Sequence, residues 1–185
     1  MIDVAKTGAQ KEKFTSKSST APTASNKCPC CKTAIETTLH LYNCKHKQIK
    51  TSLKASLETL FQTLQKLQIP LPVWLTIRAG IATVSKQNHN RPTIASPSLS
   101  AKIDSAYEAQ TKIGWNNFLK GRISTQWGDI MQDHYDKFHS SNCTHSRERF
   151  QTTLITGLWK TYDSLWKIRS ALLHDPRDLS SLSNI

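Results

Sequence analysis

No stretch of this chain approaches the roughly 18 consecutive apolar residues of a membrane-spanning helix, so no membrane-spanning segment is expected. The first residues lack the apolar core of a signal peptide. Together with clustered cysteines, this points to a reducing intracellular compartment, nuclear or cytoplasmic. No segment alternates apolar and polar residues with period two, and no hairpin dipeptide is found, which argues against sheet. No internal repeat is found either. Acidic residues are few, 13 against 25 Lys plus Arg, for a formal charge of +12. They are also scattered. There is no Tyr/Phe-x-Asp-Asp motif and no carboxylate cluster, so polymerase, RNase H and nuclease chemistry, which assemble carboxylates around metal ions, are not expected. The chain reads as a non-enzyme.

What is present is an uneven basic excess. Ten lysines and three acidic residues fall in positions 1–54. Such an excess favours an anionic partner, nucleic acid first and an acidic protein or membrane surface second, although a basic surface also serves solubility; nucleic acid is taken as the partner and membrane is not. Residues 1–26, ending in "TSKSSTAPTASN", are small, polar and basic with almost nothing to bury, and they predict a disordered arm.

Downstream, apolar residues step by three and four. Ile49, Leu53, Leu57, Leu60, Phe61, Leu64 and Leu67 predict an amphipathic helix ended by Pro70. Val73, Trp74, Ile77, Ile81 and Val84 predict a second, with Gly80 as a weak point. Residues 89–102 read as an exposed loop. A helix is then expected from an Asp104 N-cap to a stop near Gly121. Another carries Ile123, Trp127, Ile130, Met131, His134, Tyr135 and Phe138. A last helix of about twenty-eight residues bears a stripe of Phe150, Leu154, Leu158, Trp159, Tyr162, Leu165, Trp166 and Leu173, and stops at Asp175-Pro176. The expected fold is mainly α: a disordered basic arm (1–26), a small CCHC zinc-knuckle-like unit (27–46), a helical pair (47–88), a loop (89–102), a Trp-rich helical region (103–176) and a polar tail (177–185), with about five helices in all.

Four of the five cysteines lie in "CPCCKTAIETTLHLYNC", residues 28–44. Cys28 and Cys31, two residues apart around Pro29, fit a tight turn aiming two thiolates at one metal while backbone N–H groups bond to sulfur. His40 and Cys44, at i and i+4, share a face of a helical turn. The pattern C-x2-C-x8-H-x3-C supplies four ligands of the types zinc favours, and a filled Cys3His set leaves no open position, so the metal would be structural. Cys30, next to Cys31, is taken as a non-ligand. His46 could replace Cys44. The competing readings are scattered thiols in a loop, or a redox pair of Cys28 and Cys31, for which no βαβ pattern is present.

These residues resemble the zinc-binding segment that follows the polymerase domain in reverse transcriptases of non-LTR retrotransposons. The shared pattern is C-P-x-C, a spacer, then E-T-x-x-H-x-x-x-C, read here from Cys28 to Cys31 and from Glu36 to Cys44. Lys32 stands where the family often has Gly. "IGWNNFLKGRISTQW" and "LITGLWKTYDSLWKIRSALLH" are similar to the tail of such proteins, with Ser170 where Asn is common. The resemblance covers about residues 28–174 and implies metal roles for Cys28, Cys31, His40 and Cys44. It also implies a nucleic-acid partner, RNA or DNA, bound with low sequence specificity.

Lys27, Lys32, Lys45, Lys47, Lys50 and Lys54 flank or follow the Cys/His cluster and are the candidate phosphate contacts, with a solvated basic face as the plain alternative. Trp115, Trp127, Trp159 and Trp166 could stack on bases, but helical spacing assigns them to the core. Gly114, Gly121 and Arg122 could form a phosphate-contacting turn or simply a helix break. Arg169 is expected to pair with an acidic side chain or the helix dipole. His174-Asp175 and the Cys143/His145 loop lack the further ligands a metal site needs. A helical protein-interaction or structural module, merely stapled by zinc, is the alternative function.

Overall fold

The computed structural model describes residues 26–84, 93, 96–138 and 145–173. All but one residue of the arm expected over 1–26, the tail expected over 177–185, and His174, Asp175 and Cys143 lie outside the described residues. Among those described, the chain is mainly helical. The seven helices are α1 (His40–Asn43), α2 (Lys47–Gln65), α3 (Leu71–Val84), α4 (Pro97–Ile113), α5 (Trp115–Phe118), α6 (Thr125–Phe138) and α7 (Arg147–Leu173). The only β feature among them is an antiparallel bridge between Lys27 and Ile35. No described helix is long and apolar enough to cross a membrane.

The described residues form two compact units, one running to Leu53 and resuming at Asp163, the other lying between Lys54 and Tyr162. In the second, α3 packs on α4 and α5, and α4 packs on α5 and α6. α3 is buried on nearly all sides, through Val73, Trp74, Thr76, Ile77 and the run Ala79–Ala82. Phe61 of α2 stacks on Trp74, with centroids 5.2 Å apart and rings 10° from parallel. Leu64, Ile77, Ile103, Phe118, Trp127, Met131, Phe150, Leu154 and Leu158 are fully or almost fully buried.

Two polar side chains hold this core's connections. The buried Gln110 amide oxygen accepts from the Ser124 backbone N–H at 2.8 Å, and its nitrogen donates to the Arg122 carbonyl at 3.2 Å. The chain between α5 and α6 is thereby fixed to α4, and the buried amide is satisfied at both ends. The buried Tyr135 hydroxyl donates to the Leu67 carbonyl at 2.9 Å, satisfying an acceptor just past the end of α2. Exposed ion pairs, Lys102 with Asp133 and Arg147 with Asp129, lie at the surface, where such pairs contribute little.

Several sequence expectations change. α4 begins at Pro97, inside the expected 89–102 loop and well ahead of Asp104. Proline suits the first helical position, where its missing N–H has no intrahelical role. The helix expected to reach Gly121 instead ends at Ile113; the chain turns at Gly114 (φ 95°) and resumes as the short α5. Finally, Trp159 is 55% exposed, whereas Trp115 and Trp127 are buried. The buried stripe of α7 runs Phe150, Leu154, Leu158, Thr161, Leu165 and Arg169, and Trp159, about 100° around the helix from Leu158, falls off it.

Gly80 is the closest approach in the core rather than a weak point. A Cβ there would lie 2.1 Å from Cζ2 of the Trp115 indole. That indole cannot yield, because it packs against Tyr107, Phe118 and Trp127 with centroids 5.1, 5.1 and 6.5 Å away. Gly80→Ala should therefore destabilise the protein by about 1–3 kcal/mol despite alanine's higher helix propensity, read as a lower denaturant midpoint. A raised midpoint would show that helix propensity outweighs the clash.

Candidate metal centre

The chain from Asn26 to Glu36 folds back on itself. The Cys28 N–H donates to the Ala34 carbonyl, the Lys32 N–H to the Cys28 carbonyl and the Glu36 N–H to the Asn26 carbonyl, each at 2.8 Å. The loop closes through Lys32, whose φ is +56°. That left-handed conformation suits glycine and costs other residues roughly 1–2 kcal/mol. The Thr37 side chain accepts from the His40 N–H at 3.0 Å and opens α1, which carries His40 and delivers Cys44 immediately after its last residue.

This backbone gathers four side chains. One ligand atom from each of Cys28, Cys31, His40 and Cys44 lies within 4.8 Å of all the others. Cys28 Sγ is 3.8 Å from Cys44 Sγ, and Cys31 Sγ is 3.3 Å from His40 Nε2. Cys28 and Cys44 are buried and all four described cysteines are free. Such a set of four soft and borderline donors can hold a metal ion. Cys30 is also buried but stands outside the group, as does His46, whose Nδ1 is buried with no hydrogen-bond partner among the described residues.

The thiols differ. At Cys31, burial pushes the pKa up, but hydrogen bonds from the Thr33 side chain, the Thr33 and Ala34 backbone and His40 outweigh it, and the net value is lowered to about 6. Cys44 is raised to about 12, by burial first and then by Cys28 and Cys31 nearby, against a hydrogen bond from the His46 backbone. Cys30 is likewise raised to about 12 by burial and by Cys28 and Cys44. It remains a neutral thiol.

Sequence reasoning missed the partner of Glu36. Its carboxylate is almost fully buried and takes a two-pronged grip from Arg169 of α7, Nε to Oε1 at 2.5 Å and Nη2 to Oε2 at 2.7 Å. Arg169 was expected to find an acidic side chain, though nothing in the local sequence said which. The signal was the acid itself, since a buried carboxylate requires a fixed counter-charge. Glu36 holds the guanidinium pKa above its ordinary value, with Cys30 and Cys28 adding to the effect. The guanidinium also lies 4.6 Å from the centre of the Trp166 ring. Within the first unit, one side of the pair therefore faces the Cys/His loop and the other the last helix.

The six candidate lysines, Lys27, Lys32, Lys45, Lys47, Lys50 and Lys54, are all exposed. Lys47, Lys50 and Lys54 follow one face of α2, off the face that buries Ile49 and Leu53. His145, from the other loop considered, is described and contacts the Lys66 carbonyl at 3.1 Å. No protein-family model, no curated protein and no solved structure matches the chain.

Two outcomes follow from this geometry. Glu36→Gln, which leaves the guanidinium buried without its counter-charge, should destabilise the metal-loaded chain by about 3–5 kcal/mol, with Arg169→Lys less severe because the charge is kept. Urea unfolding reads both, and unchanged midpoints would mean the pair is not formed in solution. Metal affinity should also rise with pH. Cys44, still protonated at pH 7, must release a proton on ligation, while Cys31 is already mostly thiolate there. Below about pH 6 Cys31 takes up its proton, so one more must leave on binding and the dependence steepens. Competition against a chelator at pH 5.5 and 7.5 measures this. A flat profile would contradict thiolate ligation.

Proposed function

We propose that this chain is a zinc-stabilised, non-catalytic nucleic-acid-binding region akin to the part of non-LTR retrotransposon reverse transcriptases that follows the polymerase. The observation that carries the zinc is the ligand spacing. Tetrahedral zinc with Zn–S near ~2.3 Å and Zn–N near ~2.0 Å has edges of about 3.8 Å between sulfurs and about 3.5 Å from sulfur to nitrogen. Two of the six edges, 3.8 Å and 3.3 Å, are near these values, and all four ligand atoms lie within 4.8 Å of one another, close enough to draw in around an ion. Cys28, Cys31, His40 and Cys44 would fill all four positions, so zinc supplies a cross-link rather than a Lewis acid. Three thiolates and a neutral imidazole leave the centre with one net negative charge, and the buried Arg169 guanidinium, which interacts with Cys28, offsets it.

Two further observations support the likeness. The left-handed Lys32 stands where the family often has glycine, a residue at ease there. Glu36 from the Cys/His segment and Arg169 from the Trp-rich tail, two separate stretches of the resemblance, meet as one buried pair.

The partner reading rests on charge. Six exposed lysines lie in or just after the zinc segment, and phosphate neutralisation by such residues is sequence-independent and falls with salt. Gel shifts of single-stranded RNA, single-stranded DNA and duplex DNA at about 50 and 200 mM salt test it. Steep loss of affinity with salt is expected, and Lys45, Lys47, Lys50 and Lys54 changed together to Gln should flatten the slope. No binding to any of the three at low salt would sink this reading. It would leave a stapled protein-interaction module, for which Ile35, 60% exposed on the Cys/His loop, would be the first contact to test.

A further inference from the structure

Of the five tryptophans, Trp74, Trp115 and Trp127 are buried, Trp166 is half-buried beside Arg169, and Trp159 is 55% exposed. Single exposed apolar side chains are ordinary. Trp159 is distinguished by what it rests on and by the charges beside it.

The turn after α5 is rigid. The Gly121 N–H donates to the Phe118 carbonyl and the Arg122 N–H to the Asn117 carbonyl, both at 2.9 Å, and Phe118 itself is fully buried. Gly121 has φ +85°, the left-handed geometry that closes helix ends and favours glycine. Its bare Cα lies against the indole edge. A Cβ at this position would be 3.1 Å from Trp159 Nε1 and 3.1 Å from Ile155 Cγ2. One edge of the indole is thus seated on a fixed backbone turn while more than half of the side chain stays open to solvent. A pre-positioned ring of this kind loses little conformational freedom when a ligand stacks on it.

The surroundings are basic. Lys120 and Arg122, the immediate neighbours of Gly121, are both exposed, and so is Lys160 beside Trp159. No Asp or Glu occurs between Glu108 and Asp129. The nearest acid one turn along α7, Asp163, is paired with Lys167 at 2.7 Å. An indole more than half exposed, among cations and with no carboxylate on the turn, offers the two features that hold a single strand: an aromatic surface for the base and charge for its phosphates.

We infer that Trp159, seated on the Gly121 turn and flanked by Lys120 and Arg122, is a stacking platform for an unpaired base of single-stranded nucleic acid. The inference depends on the preceding section only in taking nucleic acid as the partner; the residues are different. A duplex, whose bases are stacked on one another, offers no face to Trp159, so the platform discriminates single from double strands where the lysines of the zinc segment do not.

The test uses the full zinc-loaded chain with a fluorescently labelled 12-nucleotide oligo(dT) and a 12-base-pair duplex. Trp159→Ala should weaken oligo(dT) binding about 5- to 100-fold and duplex binding less than about 2-fold. Trp159→Phe, which keeps a ring, should recover most of the loss. Lys120→Gln with Arg122→Gln should flatten the single-strand salt slope by about 0.7 per charge removed. Far-ultraviolet circular dichroism and a thermal melt confirm that each variant is folded, and Trp159→Gln, which also removes the ring at this exposed position, carries the comparison should Ala lose structure. Unchanged oligo(dT) affinity in a folded Trp159→Ala overturns the inference, as does an equal loss for both ligands or no recovery with Phe. If instead the lysine-to-Gln set in the zinc segment leaves affinity unchanged while Trp159→Ala weakens oligo(dT), the platform stands and the zinc-segment contacts fall. Absence of binding to either ligand by the unaltered chain overturns both.

Discussion

Four side chains meeting at one point are the constraint on which the first unit depends. Between Asn26 and His46 the buried apolar residues are Leu41 and Tyr42 together with cysteines. So short a stretch cannot offset its own chain entropy by apolar burial. Convergence of Cys28, Cys31, His40 and Cys44 can supply what the core does not: a metal that binds only the folded loop would contribute its binding free energy to folding. The left-handed Lys32, the Thr37 hydrogen bond to His40 and the short α1 then have one common role. Each aims a ligand.

The buried Glu36 follows from the same constraint. A loop held by a metal can bury a carboxylate only if a cation is brought to it, and Arg169 does so from the far end of the sequence. The pair is costly to break and adds less when intact. Its weight is therefore in specifying which part of α7 meets the loop. The second unit is built differently, from aromatic and aliphatic packing around α3, with Gly80 admitting the Trp115 indole and Gln110 satisfying the connection between α5 and α6. No cluster of metal-ligating side chains is found among its described residues.

Much of this was legible in the sequence because the signals are local. Spacings of two, eight and three residues put Cys28, Cys31, His40 and Cys44 into one group, and apolar steps of three and four marked α2, α3, α6 and α7. Misreadings came where tertiary context decides. Pro97 opens a helix within what composition reads as loop. Gly80 reads as a helix weakness until Trp115 is packed against it. Trp159 looks like a member of the α7 stripe by spacing from Tyr162 and Trp166, yet the stripe that is buried runs through Leu158, Thr161 and Leu165, and the phase between the two is set by neighbours rather than by the helix itself. Glu36 and Arg169 are separated by 133 positions, and no local pattern joins them.

The basic character concentrates around the least self-sufficient part of the fold, so on the proposed reading metal loading and nucleic-acid contact would be linked: without a metal, the loop that displays Lys27, Lys32 and Lys45 would lose its cross-link. The most direct test of the central claim is native mass spectrometry of the purified chain with its variants. One zinc per chain is predicted, lost in Cys28→Ser and in His40→Ala and kept in Cys30→Ser. Equal metal content in all four proteins, or its loss only in Cys30→Ser, would contradict the assignment.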